Sequence, residues 1–260
     1  MIVHCYEHIR GYFDFMSSTI RLSELYPDHK VTYAIPQNKW ISQILLNPNT
    51  MLCGKPDCVF HALSAKGATR NRLDYDKFCT TLTPLISTKD VVRVDFRYGR
   101  NAGIRDDLRG MLEFKPELIS SAIKVISESI DGNYCVIHAR TGDNEMVYDK
   151  EINLDKWKKA IEVTLSKCTL PTIFVSDSEK LKDAMSGHTV ILKGSPTHTG
   201  FKSDVTGINS FLVDVITIQR ASKVTAIVDN KWCNTAFSRI PAMYAGVPFN
   251  VKHIDEAIDD

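Results

Sequence analysis

The sequence predicts an α/β protein of two halves, each built on a parallel sheet. Three observations carry this expectation. Beyond residue 130, short apolar runs alternate with amphipathic stretches of helical spacing, the pattern of strands joined by helical crossovers. The chain opens with the same strand–helix–strand order. Between them, the apolar run Tyr134-Cys135-Val136-Ile137 stops at a polar cluster of His138, Arg140, Thr141, Gly142 and Asp143. That is how the carboxyl edge of a buried parallel strand reads, and ligands of open α/β sheets sit at that edge. An ordinary polar turn after a strand is the plainer reading of the same residues.

Residues 2–6 (IVHCY) predict a strand, followed by a polar elbow and a helix through about Tyr26, with Phe13, Met16, Ile20, Leu22 and Leu25 near helical spacing. Pro27-Asp28 stops the helix, and Lys30–Ile35 is the next strand. Gly11 is the only glycine of the elbow, so this is not a Gly-rich dinucleotide loop. Residues Asn38–Leu46 and Asp76–Leu85 predict helices, and 47–75 reads as connecting structure. Asp90–Phe96 alternates as a strand does, and the basic residues Arg93, Arg97, Arg100 and Arg105 line either an anion site or a solvated loop. Residues 106–130 are helical, with Pro116 starting a second helix. The second half then predicts strand 134–138, helix 154–168, strand 172–176, helix 178–186, strand 189–193, helix 207–221, strand 224–228, helix 235–245 and a last strand over 247–251. The expected division is 1–130 and 131–260.

Composition narrows the classes of function. The chain has 260 residues, 43% hydrophobic and 24% charged, with a net charge of +1, which is a globular composition. The balanced charge argues against nucleic acid as a partner. No run of about 18 apolar residues exists, so no membrane span is expected. Seven scattered cysteines and the absence of a signal-peptide pattern at the N-terminus suggest a reducing, cytoplasmic setting. Cys53 and Cys58 bracket Gly-Lys-Pro-Asp, a spacing that is not a zinc knuckle.

Three strand ends in the second half carry polar residues that would converge: His138 and Arg140, then Asp177, then Asn234–Ser238 opening the last long helix. Arg140 offers a planar fork of donors suited to phosphate. Thr235, Ala236, Phe237 and Ser238 put small and hydroxyl residues at a helix N-terminus, where backbone N–H groups and the dipole bind anions. Simple capping by Asn234 or Thr235 would explain the same residues without a ligand.

The His-x-Arg at a strand end, the strand ending in Ser-Asp, the stretch FKPELISSAIKVI and the segment 212–248 together resemble the GDP-fucose-dependent fucosyltransferases. This superfamily includes α-1,2- and α-1,6-fucosyltransferases, bacterial nodulation fucosyltransferases and protein O-fucosyltransferases. The resemblance covers residues 105–250, is faint over 1–35 and is absent over 36–104. It implies a GT-B-like fold, two Rossmann-like domains with the donor nucleotide in the C-terminal one. It further implies that His138 contacts the guanine or the nucleotide backbone and Arg140 the β-phosphate, with Thr235, Ala236, Phe237 and Ser238 around the phosphates. Asp214 matches a family aspartate that pairs with guanine; a solvated helix face is its plainer reading.

Two departures stand out. Many members carry a second Arg where this chain has Thr141, and their Gly-rich first loop is replaced here by YEHIRGYFD. That loop keeps Glu7 seven residues before Asp14, as in some protein O-fucosyltransferases, where the Glu acts as base. Glu7 is therefore one candidate base, Asp143 the alternative, and Arg10 a candidate phosphate or acceptor contact. The expected activity is inverting, metal-independent glycosyl transfer from GDP-fucose to a glycan or protein hydroxyl, with no cofactor. The alternatives are the same fold with another sugar nucleotide, such as UDP-xylose, and a non-catalytic nucleotide- or glycan-binding relative.

Overall fold

A computed structural model describes residues 1–5, 12–35, 41–46, 59–61, 83–84, 87, 92–94, 106–142, 151–192, 205–229 and 235–260. The chain divides into two compact units, Met1–Glu113 and Phe114–Asp260. The sequence places this division near residue 130. The helix starting at Pro116 instead belongs to the second unit, because it packs against that unit's helix Val205–Arg220.

In the first unit, strands β1 (Ile2–Cys5), β2 (Val31–Ala34), β3 (Val59–His61) and β4 (Val92–Val94) form one parallel sheet in the order β2-β1-β4-β3. Helix α1 (Tyr12–Leu25) crosses from β1 to β2 and buries Tyr12, Phe13, Phe15, Met16, Ile20 and Leu22. Its expected apolar stripe is therefore its packing face. The Tyr12 hydroxyl donates to the Met111 carbonyl at 2.8 Å, within a 3-10 helix over Asp106–Leu112. Helix α2 covers Ile41–Ile44 and ends before the expected Leu46, while residues 38–40 of the expected helix lie outside the described residues. Strand β3 lies inside a stretch read as connecting structure; at three residues it is too short to show a period. Arg93 is part of β4 rather than of a basic loop, and Arg97, Arg100 and Arg105 lie outside the described residues. So does most of the expected helix Asp76–Leu85.

The second unit is a doubly wound α/β layer. Its elements run α3 (Pro116–Ser129), β5 (Cys135–Arg140), α4 (Leu154–Ser166), β6 (Thr172–Ser176), α5 (Glu179–Met185), α6 (Val205–Arg220), β7 (Lys223–Val228), α7 (Ala236–Tyr244), β8 (Phe249–His253) and α8 (Ile254–Asp259). The parallel sheet has the order β6-β5-β7-β8. The expected strand at 189–193 shrinks to a single parallel bridge from Val190 to Ile173, outside β6. Strand order thus runs outward from β5 through β6 to Val190, then returns to β7 on the other side of β5. The gap between the carboxyl ends of β5 and β7 is the topological switch point, where such sheets bind ligands.

Local signals explain the helix starts. Pro116 occupies the first turn of α3, where its missing N–H costs nothing. The side chains of Asn153 and Ser178 cap α4 and α5, accepting from the backbone N–H of Lys156 at 3.0 Å and of Leu181 at 3.2 Å. Helix α8, absent from the sequence reading, is held by a capping box of His253 and Glu256. It buries Ile254 and Ala257 against α4 and the sheet.

Strand alternation decides which side chains reach the site. Ile137 and Ala139 face a core with Trp157, Ala160, Ile161, Phe174, Leu181, Met185, Ile227, Ile254 and Ala257, under α4, α5 and α8. His138 therefore points to the opposite face. Burial of these large side chains contributes roughly 1.5–3 kcal/mol each and fixes the strand beneath the site. Among the described residues, no helix is long and apolar enough to cross a membrane.

Candidate functional site

Strand β5 runs two residues beyond the expected 134–138, so that Arg140 as well as His138 lies within the strand. It pairs with β6 on one flank and β7 on the other, and each flank holds one of the two side chains.

On the β7 flank, His138 is 2% exposed and its Nδ1 lies 2.8 Å from the Ser238 hydroxyl of α7. The Thr235 carbonyl already accepts the backbone N–H groups of Ser238 at 3.1 Å and Arg239 at 2.8 Å. The Ser238 hydroxyl is 3.4 Å from that same carbonyl, so its better acceptor is His138 Nδ1. In that arrangement, which depends on the ring's tautomer, the neutral imidazole carries its proton on Nε2 and offers it as a donor. Burial is the main reason the His138 pKa falls to about 4; Arg140 and Lys182 push the same way, and Asp177 opposes them. At neutral pH the imidazole is uncharged. Phe237 packs on the ring at 5.5 Å between centroids, and Phe211 of α6 meets Phe237 edge-on at 6.0 Å. This flank is apolar and neutral.

On the β6 flank the arrangement is ionic. Arg140 donates from one terminal nitrogen to Asp177 Oδ2 at 2.6 Å, with side chains 21% and 8% exposed. Asp177 Oδ1 accepts from the Thr141 backbone N–H at 2.8 Å and from its hydroxyl at 2.9 Å. Gly142 follows with a φ of 84°, a left-handed conformation that favours glycine.

All three expected strand ends converge in the second unit. Thr235 stands at the N-cap position of α7 without a side-chain capping bond, so plain capping by Thr235 is not what this residue does. Ala236 and Ser238 are buried beside it. Asp177 joins the site, yet both of its oxygens are engaged by Arg140 and Thr141. Asp214 lies one turn beyond Phe211 on α6. It is only partly buried as a residue, but burial raises its carboxyl pKa, and the nearby Lys182 charge opposes that rise. Glu7, Arg10 and Asp143 lie outside the described residues.

Two residues of the site escape the sequence reading. Thr141 is visible there as a member of the polar cluster and as a departure from a family pattern, not as a partner of Asp177. Lys182 of α5 is 7% exposed and close enough to act on both His138 and Asp214. Its signal is a lysine between Leu181 and Met185, in phase with the buried side of α5. Among the described residues, no cluster of three or more His, Cys, Asp or Glu is placed to hold a metal.

The two-unit parallel architecture has solved counterparts. A crystal structure of NodZ α-1,6-fucosyltransferase soaked with GDP-fucose matches over 93% of this chain and 91% of that one, at 14% identity and a TM-score of 0.57. This chain has the NodZ fold. The structure of fucosyltransferase NodZ from Bradyrhizobium matches over 92% and 91% at 15% identity with a TM-score of 0.53. NodZ co-crystallised with GDP gives 92% and 91%, 14% identity and 0.53. No protein-family model matches the sequence, and no curated protein matches it. The likeness to NodZ is thus one of fold, and it agrees with the GT-B-like α/β architecture that the motif resemblance implies.

Proposed function

We propose that this protein is a fucosyltransferase-like glycosyltransferase that transfers fucose from GDP-fucose to a hydroxyl of a glycan or protein, with inversion. The observation that carries this reading is the placement of Arg140 and the start of α7 at the carboxyl ends of adjacent strands, across a switch point. A guanidinium and a helix N-terminus side by side suit a diphosphate. The NodZ structures with GDP and GDP-fucose support the choice of donor.

The acceptor oxygen forms its bond to the anomeric carbon as the bond to the departing diphosphate breaks on the opposite face. Glu7, or alternatively Asp143, takes the acceptor proton. Arg140 meets the negative charge that grows on the leaving phosphate, and stabilisation of developing charge is where a fixed donor is worth most. The His138 Nε2–H is a neutral donor to the nucleotide, and Thr235, Ala236 and Ser238 line the phosphate end. Arg10 is assigned to phosphate or acceptor. The compartment is cytoplasmic in this reading, and the two units serve acceptor and donor respectively.

One specific observation favours a second reading. Lys182 already supplies a cation near Asp214, so the carboxylate has a use other than pairing with guanine. The site would then take another sugar nucleotide, such as UDP-xylose. Release of GDP from GDP-fucose, with UDP-xylose in parallel, separates the two. Turnover of GDP-fucose alone, with an inverted product anomer, supports the main reading; turnover of the UDP-sugar alone replaces it. Nucleotide binding without turnover of either sugar, across a panel of glycan acceptors, identifies a non-catalytic binding relative. The reaction is run with and without EDTA, because one Asp-x-Asp spacing, Asp74-Tyr75-Asp76, stands in the sequence outside the described residues. Undiminished turnover in EDTA is the expected result.

A further inference from the structure

We propose that Asp177 and Thr141 are positioning residues, which hold the Arg140 guanidinium ready for the second phosphate of a nucleoside diphosphate. The inference rests on the nucleotide-binding reading above, and it names what makes that arginine selective.

The geometry is a closed tether. One carboxylate oxygen of Asp177 takes Arg140 at 2.6 Å, and the other takes Thr141 through both its N–H, at 2.8 Å, and its hydroxyl, at 2.9 Å. Residues 140 and 141 are adjacent in chain, so the carboxylate bridges a side chain to the backbone that carries it. Asp177 is itself fixed from both sides. Ser176 donates its hydroxyl to the Ala139 carbonyl of β5 at 3.1 Å and accepts the Ser178 N–H at 3.1 Å. Ser178 then caps α5. The turn after β6 is therefore pinned to β5 on one side and to a helix start on the other. A carboxylate held this way is a fixed reference point for a long, flexible side chain.

An arginine has many rotamers in water, and ordering it on binding costs free energy that a pre-ordered one does not spend again. Partial neutralisation by Asp177 weakens the pull of Arg140 on any anion, but it also confines the guanidinium to one place. The result is selectivity for a phosphate at one distance along the ligand. Thr141 stands where many resembling enzymes carry a second arginine. Here a hydroxyl that fastens the carboxylate takes that place.

The test is a calorimetric titration of GDP and of GMP into the wild type, Asp177→Asn, Thr141→Val and Thr141→Ser, each first checked for cooperative unfolding. The wild type is expected to bind GDP more tightly than GMP. Thr141→Val and Asp177→Asn should shrink that GDP-over-GMP ratio about tenfold, while GMP affinity stays within about twofold; Thr141→Ser should restore the ratio. A merely structural role would weaken both ligands together or neither. If Asp177→Asn does not fold, the Val and Ser pair at 141 decides alone. An unchanged ratio in folded Thr141→Val overturns the inference and leaves the nucleotide reading intact. Failure of the wild type to bind either nucleotide overturns both.

Discussion

The two flanks of β5 hold their polar side chains by opposite physics. On the β7 side, His138 is buried among Ser238, Phe237 and the inner face of α7, and its environment strips it of charge. On the β6 side, Arg140 keeps a charge that nothing in a protein removes, and a carboxylate comes to meet it. Both side chains sit two residues apart on one strand. The difference teaches that position along the strand does not set chemistry here; the partner brought by the neighbouring element does. A diphosphate with an attached nucleoside needs both kinds of surface, one for charge and one for the neutral part.

Removing a partner on the ionic flank should have the largest effect on stability. Arg140→Met leaves the largely buried Asp177 carboxylate without its cation, and we expect a loss of roughly 3 kcal/mol in urea unfolding. The double variant Arg140→Met/Asp177→Leu should recover much of that loss. A single variant as stable as wild type would mean that the pair does not organise this flank.

The neutral flank should announce itself through pH. The His138 pKa is about 4 in the folded protein against 6.5 in the unfolded chain, so the unfolded state takes up the proton first on acidification. Its stabilising contribution is complete above pH 6.5, falls as pH drops toward 4, and is flat below. The 2.5-unit gap corresponds to about 3 kcal/mol at most. His138→Gln should remove this part of the acid slope in thermal unfolding; an unchanged slope would show that His138 is charged or accessible. Asp214 works in the other direction, because a raised carboxyl pKa costs stability as pH rises. Asp214→Asn should therefore raise the melting temperature slightly at pH 7, and if Asp214 also reads guanine the variant loses its preference for GDP over UDP.

The turn that ends the strand offers the smallest test. Gly142 adopts a φ of 84° and, among the described residues, nothing stands within 4 Å of where a Cβ would lie, so Gly142→Ala meets backbone strain. A cost of roughly 1 kcal/mol is expected. A much larger loss would place unseen packing at the exit from β5.

Much of this was legible in the sequence, for physical reasons that differ by region. Strands β5, β6 and β7 each carry a short, mostly apolar stretch that is buried along most of its length, and their positions were readable for that reason. The convergence of His138, Arg140, Asp177 and Ser238 followed from the rule that parallel strands expose their carboxyl ends together. Strand β3 and helix α8 were not readable, since three and six residues are too few to show a period. The grip of Asp177 on Arg140 was not readable either. The two are 37 positions apart, and a sequence gives the chemistry of each carboxylate but not its partner. For the same reason the sequence does not single out Lys182, and Thr141 stands out chiefly where a second arginine is missing.

The most direct test of the central claim is a calorimetric titration of GDP, UDP and ADP into the wild type and Arg140→Lys in EDTA. Lysine keeps the charge but loses the planar fork that phosphate and Asp177 share. The account predicts that GDP binds the wild type in preference to UDP and ADP, and that Arg140→Lys, still cooperatively folded, binds it at least about tenfold more weakly. Equal GDP affinity in the two proteins would contradict it, and would move the diphosphate away from the end of β5.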